Sequence, residues 1–226
     1  MKKILLCGAL FHVLLVTAQR DKQDKLIIEK GTWNVGGNFS FRFTQFESNF
    51  QNEDSSRFFE NESTGISVFP NLGYAVGNNF IVGLGLGYGF SKSENFTVND
   101  QMVNNFTLSE ATTYSIFPYV RGYFPVGSKL AIYAQGEVRF AKTNSEFSDQ
   151  IINLGVDGNE NESYFIGIRP GFTYFISKNF ALETTLGSLG YERQKLERDG
   201  ERVGDSDNFN FNLNSADLFF GLSYYF

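Results

Sequence analysis

Three stretches of this chain sort their side chains by parity, and only an extended strand with two unlike faces accommodates that sorting. Along 82–90, Val82, Leu84, Leu86, Tyr88 and Phe90 alternate with Gly83, Gly85, Gly87 and Gly89. Along 130–140, Leu130, Ile132, Ala134, Val138 and Phe140 alternate with Tyr133, Gln135, Glu137 and Arg139. At the end of the chain Leu218, Phe220, Leu222, Tyr224 and Phe226 alternate with Asp217, Ser223 and Tyr225. Successive side chains of a strand point to opposite faces, so each stretch has one large apolar face and one small, polar or charged face.

The strands come in hairpins repeated about every 50 residues. The segments 69–80, 117–130 and 165–180 each read as an alternating strand, a tight polar turn at 77–79, 127–129 or 177–179, and the start of a second strand. Three hairpins, a first strand around 32–44 and a last around 216–226 give eight antiparallel strands. Short turns follow strands two, four and six. Long polar connections, expected as loops, follow the others at 46–63, 92–111, 141–162 and 192–208. Parity slips between Leu213 and Ala216, which predicts a bulge there or a loop.

The first eighteen residues have another character. Lys2 and Lys3 precede an apolar run from Ile4 to Val16, then Thr17 and Ala18. A positive start, a short apolar core and a small residue at the end predict a signal peptide over 1–18, cleaved before Gln19. The apolar run is shorter than the roughly 20 residues of a spanning helix. Cleavage would remove Cys7 and His12, the one cysteine and one histidine. Of 19 basic residues it would remove Lys2 and Lys3, leaving 17 against 25 acidic, a net charge of −8. Such a surface repels nucleic acid.

An exported chain of alternating strands ending in an aromatic strand resembles small bacterial outer-membrane β-barrels, those related to OmpX and to the membrane domain of OmpA, above all the versions common in Bacteroidetes. The resemblance covers about 31–226. It implies an all-β, eight-stranded antiparallel up-and-down transmembrane barrel, a periplasmic leader over 19–30, and location in the bacterial outer membrane. It also implies Phe226 as the residue that barrel-assembly machinery reads. Outer-membrane lipids are the first expected partner, and extracellular proteins meeting the loops are another. The mean hydropathy of −0.22 fits, because only one face of each strand would meet lipid. Aromatics at 17% exceed the usual share of a soluble domain.

In such a barrel the charged face must look inward, since an arginine at the bilayer midplane costs roughly 2–4 kcal/mol. Tyr74, Phe80, Phe124, Tyr174 and Phe180, beside the short turns, then form an interfacial girdle. Eight strands leave a lumen that side chains just fill. The inward set includes Phe69, Phe117, Tyr119, Tyr123, Tyr133, Gln135 and Tyr225 with the charged Arg42, Arg121, Glu137, Arg139, Arg169, Glu183 and Asp217. Interior charges must pair. Counting up from the turns predicts the pairs Glu137–Arg169 and Arg42–Asp217, with Arg121, Arg139 and Glu183 extending the network. The glycines of 83–89 either make room for large side chains on the next strand or let the strand curve. A filled lumen makes the chain a structural or surface-interaction protein acting through four long loops. The alternative is a narrow channel for ions or small solutes.

Enzyme chemistry is not expected. Without histidine or cysteine the mature chain has no imidazole base, no thiol nucleophile and no Cys/His metal site. No cofactor is expected either. Asp157, Glu160 and Glu162 offer oxygen ligands, but not at the spacing of a calcium-binding EF-hand loop, and read as a solvated acidic loop. The Gly83-x-Gly-x-Gly87 run continues a strand without opening a helix, so it is no phosphate loop.

Overall fold

The alternating segments form antiparallel strands longer than their periodicity announced. In the computed structural model, which describes residues 25–52, 55–99, 105–149, 157–198, 201–212 and 218–226, there are ten. They are β1 (Trp33–Asn52), β2 (Ser55–Gly77), β3 (Phe80–Asn99), β4 (Asn105–Pro125), β5 (Leu130–Asp149), β6 (Asp157–Phe175), β7 (Phe180–Leu186), β8 (Ser188–Arg198), β9 (Glu201–Asn212) and β10 (Leu218–Tyr225). A ring closes through eight of them, in the order β1, β2, β3, β4, β5, β6, β7 and β10, with β10 back on β1. The signal segment 1–18 lies outside the described residues.

Beyond the ring, β8 and β9 continue what periodicity read as single seventh and eighth strands. Gly171 stands opposite Thr185 and Ile168 opposite Leu189, so β7–β8 holds one residue more than β6 between those pairs. This is a bulge at Gly187, whose φ of 108° suits glycine. The extra residue falls opposite Pro170, which has no N–H to give to a ladder. Pro118 and Pro70 behave alike: the β4–β5 ladder skips Phe117 and Pro118, and the β2–β3 ladder skips Phe69 and Pro70. The parity slip around Leu213 lies outside the described residues.

The described residues of the four long polar connections are strand, not loop. The β1–β2 ladder runs unbroken up to Asn52 opposite Ser55, β3–β4 reaches Thr97 opposite Asn105, and β5–β6 reaches Phe147 opposite Asp157. Ladder hydrogen bonds do not need an apolar face. Where water wets both faces no alternation is written into the sequence, so periodicity underestimates strand length. In its upper half the wall also has edges. Among the described residues, β1 beyond Phe39 pairs only with β2, and β9 pairs only with β8.

Short turns at 77–79, 126–129 and 176–179 close the other end. A segment of the chain before β1 crosses that opening. Ile28 is 4% exposed inside the barrel end. Its N–H donates to Asn79 Oδ1 and its carbonyl accepts from the Asn79 N–H, both at 2.8 Å. Asn79 holds this clamp with a positive φ of 60°, a conformation asparagine tolerates.

Glycines on the inner wall of β3 make room for the neighbouring strand. A Cβ on Gly85 would lie 2.1 Å from the Phe117 ring, and one on Gly83 would lie 2.4 Å from Tyr119. At Gly89 the nearest atom would be 3.2 Å away. Gly85→Ala is therefore expected to lower stability by about 1–3 kcal/mol through overpacking, and Gly89→Ala by under about 1 kcal/mol. Urea unfolding followed by Trp33 fluorescence measures both. Amide exchange is expected to be slower across Asn34–Phe39, paired on both sides, than across Phe41–Asn52.

Candidate functional site

The lumen is filled in layers from the turn end. Lowest lies an apolar layer in which Ala75, Ile81, Ala131 and Ala181 are 0% exposed, roofed by Tyr133 at 1%. The alternation of β2, β3, β5 and β7 sets these side chains on the inner wall, and Ile28 and Phe175 complete the cluster.

Above it sits the charge network. Arg121 on β4 donates from Nη1 to Glu183 Oε2 across the lumen at 2.7 Å, with both side chains at most 2% exposed. Arg121 Nε and Nη2 both donate to Gln135 Oε1, at 2.9 and 2.6 Å. The guanidinium also lies 4.5 Å from the centre of the Tyr133 ring. Tyr225 OH donates to Glu183 Oε1 at 2.9 Å and shares a hydrogen bond with Tyr123 OH, also at 2.9 Å. Every polar atom of the ion pair thus has a partner other than water, the condition under which a buried pair is tolerable.

One step higher, Glu137 accepts from three donors. Gln135 Nε2 reaches its Oε2 at 2.7 Å, while Arg169 Nε and Arg139 Nε reach its Oε1 at 2.8 and 3.1 Å. Two guanidiniums share one carboxylate, and Gln135 links this group to Arg121. Arg139 stacks over Phe117 at 4.2 Å and Phe69 at 5.0 Å, and Arg169 over Phe165 at 5.1 Å. Such stacking on an aromatic face favours a desolvated cation.

Five of the seven charged residues singled out by spacing therefore meet in one network: Arg121, Glu137, Arg139, Arg169 and Glu183. The Glu137–Arg169 pair joins adjacent strands. The Arg121–Glu183 pair crosses the lumen between β4 and β7, and no spacing along either strand signals it. Arg42 is exposed and lines the wider upper lumen instead. Asp217, its expected partner, lies outside the described residues. Phe226 ends the wall beside Trp33, exchanging two backbone hydrogen bonds with it at 2.8 and 2.9 Å. The clamp at Ile28 escaped sequence reasoning, because the short run Leu26-Ile27-Ile28 in a charged leader carries no periodicity.

The outer wall inverts this chemistry. Large apolar side chains cover it over 66–76 of β2, 80–90 of β3, 114–124 of β4 and 130–140 of β5. At one border lie Tyr74, Phe80, Phe124, Tyr174 and Phe180, all exposed, with Trp33 against Tyr74 at 4.9 Å. At the other lie Tyr88 against Tyr114 at 5.5 Å and Phe140 against Tyr164 at 5.8 Å. Charges begin just past this second border. Lys92 bonds Glu94 at 2.6 Å and Lys142 bonds Glu160 at 2.8 Å, hydrogen bonds that raise both ammonium pKa values above the lysine norm.

No family model and no curated sequence matches the chain. Among solved structures it is similar to the translocator domain of the autotransporter NalP from Neisseria meningitidis, with 12% identity over 98% of this chain and 95% of that one, at a TM-score of 0.41. A major outer membrane protein from Thermus thermophilus gives 14% identity over 88% and 100%, at 0.40. The beta domain of the Bordetella autotransporter Brka gives 11% over 87% and 98%, at 0.32. Likeness this low carries no weight for function.

Removing one partner of the buried pair strands the other charge. Arg121→Leu and Glu183→Leu are each expected to cost about 3–5 kcal/mol, and the double substitution less than the sum of the two. Urea midpoints for the four proteins measure the coupling.

Proposed function

We propose that the chain is an integral protein of the bacterial outer membrane whose stoppered barrel anchors a rigid polar β-extension at the cell surface. The observation that carries this reading is the outer apolar band. Its span on each strand, such as 80–90 or 114–124, matches the roughly 9–11 residues with which a tilted strand crosses a bilayer. Aromatic borders on both sides suit the two membrane–water interfaces. A contiguous apolar belt around a whole molecule far exceeds the few hundred Å² that soluble monomers expose. A soluble barrel would carry the reverse polarity, with its apolar face in the lumen.

Orientation follows from the asymmetry of the ends. Short turns and the Ile28 clamp would face the periplasm, and the long polar extensions the exterior. Lipid would be the barrel's standing partner, and assembly machinery reading Phe226 its partner during insertion. Any extracellular protein would meet a β-ladder rather than four mobile loops. The free edges of β1 and β9 suit strand addition.

The sealed apolar layer and the Arg121–Glu183 pair above it favour a structural role over a channel. Two measurements test this reading. Refolded protein should need detergent to stay in solution and should migrate differently boiled and unboiled on a gel. In planar bilayers it should give no steady conductance. Solubility without detergent would refute the membrane assignment, and a steady conductance abolished by Arg121→Ala with Arg169→Ala would refute the stopper.

A further inference from the structure

The two ends of the barrel carry opposite charge. In the described parts of the polar extensions acidic side chains outnumber basic ones. The turn end reverses this: Lys25, Lys30, Lys129 and Lys178, all exposed, stand there with one acidic side chain, Glu29, and the carboxylate at Phe226. None of these four ammonium groups pairs with a described residue, whereas Lys92 and Lys142 at the other border are each held by a glutamate.

The lysines are not spread evenly around the rim. Lys30 lies just ahead of β1, Lys178 in the turn before β7, and Lys129 in the turn before β5. Around the ring these positions form one arc, from β1 past β10 and β7 to β5. The β2–β3 turn on the other arc presents Asn78 and Asn79 instead.

Under the charged arc the outer wall is aromatic, then aliphatic. Tyr224 lies 4.7 Å from Phe180 and 5.7 Å from Phe226, and Phe226 exchanges backbone hydrogen bonds with Trp33. Leu182 and Leu222, paired in register on β7 and β10, continue the wall, both exposed. A ligand that satisfies both parts must be an amphiphile with a hydrocarbon length and an anionic head. A free phosphate would leave the wall bare. A zwitterionic lipid brings its own ammonium, which offsets the attraction of its phosphate to lysine.

We propose that this arc is a selective site for an anionic phospholipid, with the phosphate between Lys30 and Lys178, Lys129 beside them, and the acyl chains along Phe180, Leu182 and Leu222. The proposal rests on the membrane reading above, and its test separates the two.

Trp33, the one tryptophan of the chain, stands at the site, 44% exposed on the outer wall. Bromine on a lipid in contact with an indole quenches its fluorescence. The full chain, refolded and reconstituted in phosphatidylcholine vesicles, is titrated with brominated phosphatidylglycerol or brominated phosphatidylcholine. The anionic lipid should quench Trp33 with an apparent affinity about threefold or more above that of the zwitterionic one, as expected for a juxtamembrane lysine cluster. Lys30→Gln combined with Lys178→Gln should bring that ratio to about one, and Lys92→Gln at the far border should leave it unchanged. A boiled-versus-unboiled gel confirms that each variant is folded. Equal quenching of the unaltered protein by both lipids, or an undiminished ratio in the folded double variant, would overturn the proposal and leave the barrel in the membrane. Absence of quenching by either lipid would overturn the membrane reading as well.

Discussion

Everything in this molecule depends on placing charge inside a closed ring of strands and hydrocarbon outside it. A guanidinium as buried as that of Arg121 is tolerable only where the wall supplies a carboxylate and further acceptors at fixed distances. Glu183, Gln135 and Tyr123 do so from three different strands. The network thus ties β4, β5, β7 and β10 together across the lumen, in addition to the ladder that runs around it. The outer face can then be largely apolar, because these charges find their partners inside the ring.

Close packing follows from the same requirement. A lumen of eight strands has no space to spare, so each large inward side chain needs an absence opposite it. Phe117 lies against Gly85, Tyr119 against Gly83 and Tyr133 against Gly171. Higher up the pattern is abandoned, serines replace aromatics, and the lumen opens. The contrast between the two halves of one wall marks where the lumen changes from filled to open.

How much could be read in advance divides along the same line. Where one face is apolar, parity identified strands, inner and outer sides, and the five charges of the network, because a period of two is a direct imprint of the environment. In the polar extensions both faces meet water, the imprint vanishes, and segments such as 46–52 and 55–63 read as loop although they are laddered strand. Contacts between adjacent strands, such as Glu137 with Arg169, were within reach of counting from the turns. Contacts across the lumen, such as Arg121 with Glu183, depend on barrel shear and have no counterpart in local spacing. The bulge at Gly187 was hidden because a glycine in a strand does not by itself distinguish a bulge from close packing.

The most direct test of the inverted polarity is site-directed spin labelling in lipid vesicles. Nitroxides placed singly at Leu84, Val120 and Ile168 on the outer wall should collide with oxygen and be shielded from a water-soluble nickel chelate. Labels at Glu94 and Glu110, past the second aromatic border, should show the reverse. Chelate access at Leu84 and Val120 equal to that at Glu94 would mean that water wets the leucine-rich face, and the account would fail.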